Sequence, residues 1–172
     1  MICASIEELS WRVEKIRLGK KVVLATGSFD LFHYDHLKYL EGAKKQGDIL
    51  VVAVKSDKAV QRKDPERPII CEFQRVGIVD GIKPVDFAIV VDYNENLQLE
   101  LEAENQKQRE WLIIFQELFK GLHPDILYYE DNPVLQSARN KVFEKYRITG
   151  VKKKRWENIS TTEIVRKLKT SK

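Results

Sequence analysis

The chain is poor in the residues that carry metal and redox chemistry. It contains two cysteines, Cys3 and Cys71, and three histidines. Two isolated thiols give no metal-ligand spacing, no redox pair and no disulfide framework, so a reducing cytosol is the expected compartment. Long apolar runs are also lacking. None reaches the length needed to span a bilayer, and residues 1–20 hold no apolar segment of the secretory kind. Internal repeats and low-complexity linkers are missing as well. Charge of one sign is not in excess, with 30 Lys and Arg against 26 Asp and Glu for a net of +4. Such a surplus suits anionic ligands and is a poor footprint for nucleic acid.

What is present fits one domain over residues 1–172, with 43% hydrophobic residues to build a core. Ser5-Ile6-Glu7-Glu8 has capping-box spacing, and Ile6, Leu9, Val13 and Ile16 then share one helical face, predicting a helix that ends near Gly19. Continuous apolar runs at 22–26 (VVLAT), 49–54 (ILVVAV), 87–91 (FAIVV) and 125–129 (DILYY) read as buried strands. Helical patterns at 34–46 and 69–82 lie between them, with a polar stretch at 56–67. Residues 94–120 read as one long helix, a helical insertion at about 93–120 whose apolar half, 111–119, is core or a self-association surface. Asn132-Pro133 starts a further helix, and Ser160-Thr161-Thr162-Glu163 caps the last one. Alternating strands and helices predict an α/β, Rossmann-like open parallel sheet with helices on both faces. Its ligand site is expected beyond the carboxyl ends of the strands, just after Thr26, Val54 and Tyr129.

The segment Gly27-Ser28-Phe29-Asp30-Leu31-Phe32-His33-Tyr34-Asp35-His36 occupies the first strand-to-helix turn. Backbone amides and a helix N-terminus attract phosphate there. His33 and His36, three apart, project to one side, and as imidazolium groups they would hold a triphosphate and stabilise departing pyrophosphate. The competing readings are polar residues at a helix start or two metal ligands. A zinc site is disfavoured because His123 and the two cysteines supply no third and fourth ligand. Asp30 on this reading orders the turn by accepting from backbone amides.

Residues 27–57 resemble the cytidylyltransferase-like nucleotidyltransferases, whose signature is HxGH after a GxFD turn, and ISTTEIVRKL at 159–168 resembles their second signature. The likeness covers about 20–92 and 121–169. Within the family, the leading helix and the DKAVQRKDPERPI segment are most similar to the heptose-1-phosphate adenylyltransferase domain of ADP-heptose synthesis. Glycerol-3-phosphate cytidylyltransferase and archaeal-type FAD synthetase are further relatives.

The resemblance implies catalytic roles for His33, His36 and Lys63, the last reaching the α-phosphate. It implies nucleotide binding by Thr26, Gly27, Ser28, Phe29, Asp35, Lys44, Asp131 and Arg155, and by Ser160, Thr161 and Thr162 at the β- and γ-phosphates. Magnesium would enter with ATP or CTP, no protein metal site is called for, and the acceptor would be a phosphorylated small molecule. A cytoplasmic homodimer that binds neither membrane nor nucleic acid is the implied state. Each residue has a blander alternative: Lys63 is solvated, Lys44 decorates a surface, Lys152–Arg155 is a solvated patch, and Ser160–Glu163 is only a cap. The chain departs from the family at Asp35, which replaces the HxGH glycine, and at Tyr129, where a small residue is expected and where the side chain either stacks on the base or packs. Two alternatives therefore accompany the leading one. The first is FMN adenylyl transfer. The second is a nucleotide-binding regulatory module weakened by Asp35.

Overall fold

The computed structural model describes residues 1–153 and 164–166. Six parallel strands form one sheet: β1 (Ile2–Cys3), β2 (Val22–Gly27), β3 (Ile49–Lys55), β4 (Phe87–Val91), β5 (Ile126–Tyr129) and β6 (Thr149–Lys152), in spatial order β1-β4-β3-β2-β5-β6. The chain walks outward from β2 through β3 to β4, then returns to the other side of β2 for β5 and β6. The reversal puts a topological switch point between the carboxyl ends of β2 and β5.

Alternate side chains of each strand enter different cores. One face carries Leu24, Val51, Ile89 and Leu127 against α1 (Ile6–Arg17), α5 (Gln106–Leu122) and α6 (Gln136–Tyr146). The other carries Val23, Val52, Ala88 and Ile126 against α2 (Tyr34–Lys44) and α4 (Glu72–Asp80). The four central strands and the sidedness of the helices thus follow the apolar runs. Ser5 caps α1 by accepting from the Glu8 amide at 3.2 Å, and Leu9 and Val13 are fully buried, while Ile16 is exposed.

Four features depart from the sequence pattern. The edge strands β1 and β6 carry no apolar run: β1 has two residues, and β6 (TGVK) is largely exposed, so backbone pairing to β4 and β5 defines them. The polar stretch contains a short helix, α3 (Asp57–Gln61), capped by Ser56 and burying Ala59 and Val60. Helix α4 starts at Glu72 instead of Ile69, because the Ile69 and Ile70 amides donate to Asp30. The long helix expected over 94–120 begins only at Gln106, where Asn105 caps it, and runs on to Leu122. Its polar first half is a loop tied down by two buried glutamines. Gln116 accepts from the Glu100 amide at 2.8 Å and donates to the Gln98 carbonyl at 3.0 Å, and Gln108 accepts from the Glu104 amide at 2.9 Å. Pro133–Leu135 form a 3₁₀ turn that leads into α6. The final helix expected at Ser160 lies outside the described residues apart from Ile164–Arg166.

The aromatic and aliphatic cluster at 111–119 is interior. Leu112, Phe115, Leu118 and Phe119 are fully buried within the chain itself, so these apolar side chains are spent on the core and not on self-association. Phe115→Ala is expected to cost about 3–5 kcal/mol of stability. Urea unfolding at several protein concentrations checks it: the loss should not depend on concentration, as it would if the ring lay at a dimer contact.

Candidate functional site

Beyond the end of β2 the chain makes an unusual turn. Phe29 and Leu31 both adopt left-handed backbone conformations, with φ of 52° and 47°, which non-glycine residues enter at a cost. The surroundings over-determine this turn. Asp30, 1% exposed, accepts from Arg67 Nε at 2.6 Å and from the amides of Ile69 and Ile70 at 3.0 Å each. Burial disfavours the Asp30 carboxylate, yet these donors outweigh it and hold its pKa below the usual value. Arg75, fully buried on α4, donates to the Ser28 carbonyl, to the Ile70 carbonyl at 2.8 Å and to Asp57 Oδ1 at 2.8 Å. Gly27 is needed because a Cβ there would meet the Phe29 ring at 2.9 Å. Phe29 is itself buried, with its ring edge-on to His36 at 5.4 Å.

The turn delivers His33 to the N-cap of α2 and His36 to its first turn, with their rings stacked at 3.9 Å between centroids. The His33 amide donates to His36 Nδ1 at 3.3 Å, so the neutral His36 ring carries its proton on Nε2 and presents a donor. Imidazolium was expected here, but burial first, and then the neighbouring His33 and Lys153, push the His36 pKa down to about 4. Burial lowers His33 too, against the opposing field of Asp35. The pair is therefore neutral at pH 7 in the free protein and acts as a polar cradle into which an anion would draw protons.

The remaining expected residues divide by position. Thr26 and Gly27 end β2, and the Thr26 amide meets Tyr39 Oη at 3.3 Å, which itself donates to the Tyr128 carbonyl at 2.7 Å across the switch point. Asp35 lies half-buried in the first turn of α2, where a carboxylate suits the helix N-terminus. Asp131 lies past β5 and pairs with Lys152 at 2.6 Å. Lys63 follows α3 and bears on Lys55, at the end of β3. Lys44 is not part of this grouping. It sits in the last turn of α2, at the opposite end of the helix from the histidines, paired with Asp86 at 2.5 Å and the Asp48 carbonyl at 2.7 Å. Tyr129 is also turned away, buried against Phe143 and Arg139 on the α6 face, so it neither blocks the cradle nor stacks on a base there. Arg155, Ser160, Thr161 and Thr162 lie outside the described residues.

Several participants escaped the motif reading. Arg67 and Arg75 brace the turn, and Lys153, nearly buried, pairs with Glu130 at 3.0 Å and bears on both histidines. The run 152–155 is therefore not a uniformly solvated patch. An arginine at the start of the uncharged stretch Val76-Gly77-Ile78-Val79 was the available signal for Arg75.

With this geometry in hand, the comparisons with known proteins are specific. The cytidylyltransferase-like family matches residues 24–167. The chain belongs to that family. Among relatives of this cytidylyltransferase-like chain, the bifunctional protein HldE of Campylobacter jejuni is 33% identical over 158 residues, covering 89% of this chain and 29% of that protein. The HldE protein of Desulfatibacillum aliphaticivorans is 37% identical over 124 residues, covering 71% of this chain and 22% of its own length. The chain thus spans less than a third of these curated relatives. Among solved structures, a lipopolysaccharide core biosynthesis protein from Thermoplasma volcanium aligns with a TM-score of 0.59 at 27% identity, over 81% of this chain and all of that one. Pantoate-beta-alanine ligase from Francisella tularensis aligns at 0.69 with 14% identity, over 98% of this chain and 77% of that one, a likeness of fold alone. No described helix is long and apolar enough to cross a membrane.

Because the folded-state pKa of His36 is depressed, the stability its neutral ring contributes is present above the ordinary histidine value and is lost as pH falls toward about 4. NMR titration of the free protein is expected to find the His36 midpoint near that value, and a non-hydrolysable ATP analogue should raise it. An unmoved midpoint with the analogue bound would place the triphosphate away from the pair.

Proposed function

We propose that this chain transfers AMP or CMP from a nucleoside triphosphate to a phosphorylated sugar or alcohol, releasing pyrophosphate. The observation that carries the reading is the stacked His33/His36 pair at the N-terminus of α2, at the switch point between β2 and β5. Family membership and the part-length match to HldE support it, and the likeness to the heptose-1-phosphate adenylyltransferase domain favours ATP and a sugar 1-phosphate.

In this reaction an oxygen of the acceptor phosphate bonds to the α-phosphorus. The bond from that phosphorus to the bridging oxygen toward the β-phosphate breaks, and its electron pair leaves with pyrophosphate. No covalent enzyme intermediate is required, so positioning and charge stabilisation carry the rate. Thr26, Gly27 and the Ser28–Phe29 backbone would flank the phosphates. His33 and His36 would donate to them and gain positive charge as negative charge grows on the leaving group. Lys63 would reach the α-phosphate, Asp131 would lie toward the nucleoside, and Arg155 with Ser160, Thr161 and Thr162 would close on the β- and γ-phosphates. Among the described residues no group of three potential ligands is assembled for a metal, and Asp30 is committed to Arg67. On the family resemblance a magnesium ion would arrive on the triphosphate, neutralising phosphate charge, with Asp35 as a neighbouring carboxylate. A cytoplasmic homodimer remains the family expectation, formed through a surface other than 111–119.

The test is a screen of ATP and CTP against sugar phosphates, glycerol 3-phosphate and FMN, read as magnesium-dependent pyrophosphate release and product mass. His36→Ala is expected to keep the fold and lower turnover roughly 10²- to 10³-fold. Unchanged turnover would remove the pair from the site.

The second reading, a binding module without turnover, draws on Asp35, a carboxylate whose field acts on both histidines. Asp35→Gly separates the two. As an adaptation, Asp35 makes the variant slower than the native chain. A variant that gains pyrophosphate release over an inert parent supports the module.

A further inference from the structure

On the sheet face opposite the histidines lies a second group of cations for which the triphosphate reading has no use. Lys55 is the last residue of β3, and its alternation with Val51 and Ala53 sends it to the α5 side. Its Nζ stands 5.8 Å from the Phe115 ring centroid. Arg139 on α6 is 6% exposed, and its guanidinium lies 4.3 Å from the Tyr129 ring and 6.0 Å from Trp111. Trp111 and Phe115 are one turn apart on α5 with centroids 5.8 Å apart, so both cations overlie one aromatic floor.

Neither cation has a carboxylate partner among the described residues. Nε and Nη1 of Arg139 are buried and have no hydrogen-bond partner among the described residues. The acids of the neighbourhood are engaged elsewhere: Glu110 with Arg62 at 3.6 Å, Asp131 with Lys152 and Glu130 with Lys153. Burial, then Lys63, draws the Lys55 pKa down to about 8, with Arg139 adding to the repulsion and Glu110 opposing it. A buried guanidinium and a half-buried ammonium that repel each other and lack a counter-charge are costly unless an anion joins them. A guanidinium and an ammonium together match a phosphate dianion, which accepts from both and restores the balance. A carboxylate would neutralise only one of them.

We propose that Lys55 and Arg139 form the binding site for the phosphate of the acceptor, above the carboxyl ends of β3, β2 and β5 and on the face away from the histidine pair. The assignment rests on the transferase reading for the word acceptor, while the anion site itself does not depend on it. The end of β2 lies between β3 and β5, so a sugar phosphate held by Lys55 and Arg139 would approach a nucleotide held by His33 and His36 from the opposite face of the sheet. That is the arrangement a direct displacement at the α-phosphorus needs.

The experiment is calorimetric titration of the whole chain with glucose 1-phosphate and with inorganic phosphate, each in the presence of α,β-methylene-ATP. Lys55→Met and Arg139→Met are expected to weaken both phosphates roughly 10- to 100-fold, the range for losing a charge-assisted contact, while the affinity for the ATP analogue stays within about 3-fold. Lys55→Met carries the test if Arg139→Met does not fold. Loss of analogue affinity equal to the loss for sugar phosphate would assign these cations to the triphosphate and overturn the proposal, as would a native chain that binds neither phosphate saturably. A chain that shows these losses in the variants yet releases no pyrophosphate in the screen keeps the anion site and loses the transferase reading.

Discussion

The buried carboxylate of Asp30 is the contact on which the geometry of the site depends. The two left-handed residues beside it would relax toward ordinary conformations in an isolated peptide. They persist because Asp30 gathers donors from Arg67, Ile69 and Ile70, a segment almost forty positions away, while Arg75 grips the preceding carbonyl. The same bonds delay the start of α4, so one carboxylate sets the entry of two helices. An unpaired carboxylate at that depth would be strongly unfavourable, which makes the brace all or none. Through it, the strain of the turn is borne by the fold, and the histidines are held at a fixed helix entrance before any ligand arrives.

The charges above the sheet follow one pattern on both faces. Basic side chains are partly desolvated and set beside others of the same sign. His36 next to His33 and Lys153 stays neutral, and Lys55 next to Lys63 and Arg139 is strained as a cation. Such arrangements cost folding stability and gain ligand binding, because an anion relieves the cost on arrival. Elsewhere in the molecule cations are conventionally paired, as in Lys44 with Asp86 and Arg75 with Asp57. Lys55 and Arg139 differ from these in having no carboxylate partner among the described residues.

Much of this was legible in the residue pattern. Four apolar runs announced the central strands, and the histidine pair could be placed at a helix entrance from spacing alone. The spacing gave no warning that the pair is neutral, since protonation depends on how much water the rings retain and on Lys153, which arrives from the last strand. Lys44 matched a motif position, yet helix length carried it to the wrong end. Tyr129 matched a place near the base, yet strand parity turned it into the other core. Lys55 and Arg139 look like ordinary surface cations in the sequence. Only their burial over the rings of α5 sets them apart.

By itself the sequence determined the fold class, the four central strands and the position of the strand-to-helix turn that carries the histidines, because these follow from local periodicity and from motifs contiguous in the chain. The tertiary structure alone decided the edge strands, the late start of α5, the bracing of Asp30 and the pairing state of each cation. Those depend on which distant groups share one desolvated volume, and a linear pattern carries no measure of distance through space or of the water excluded there.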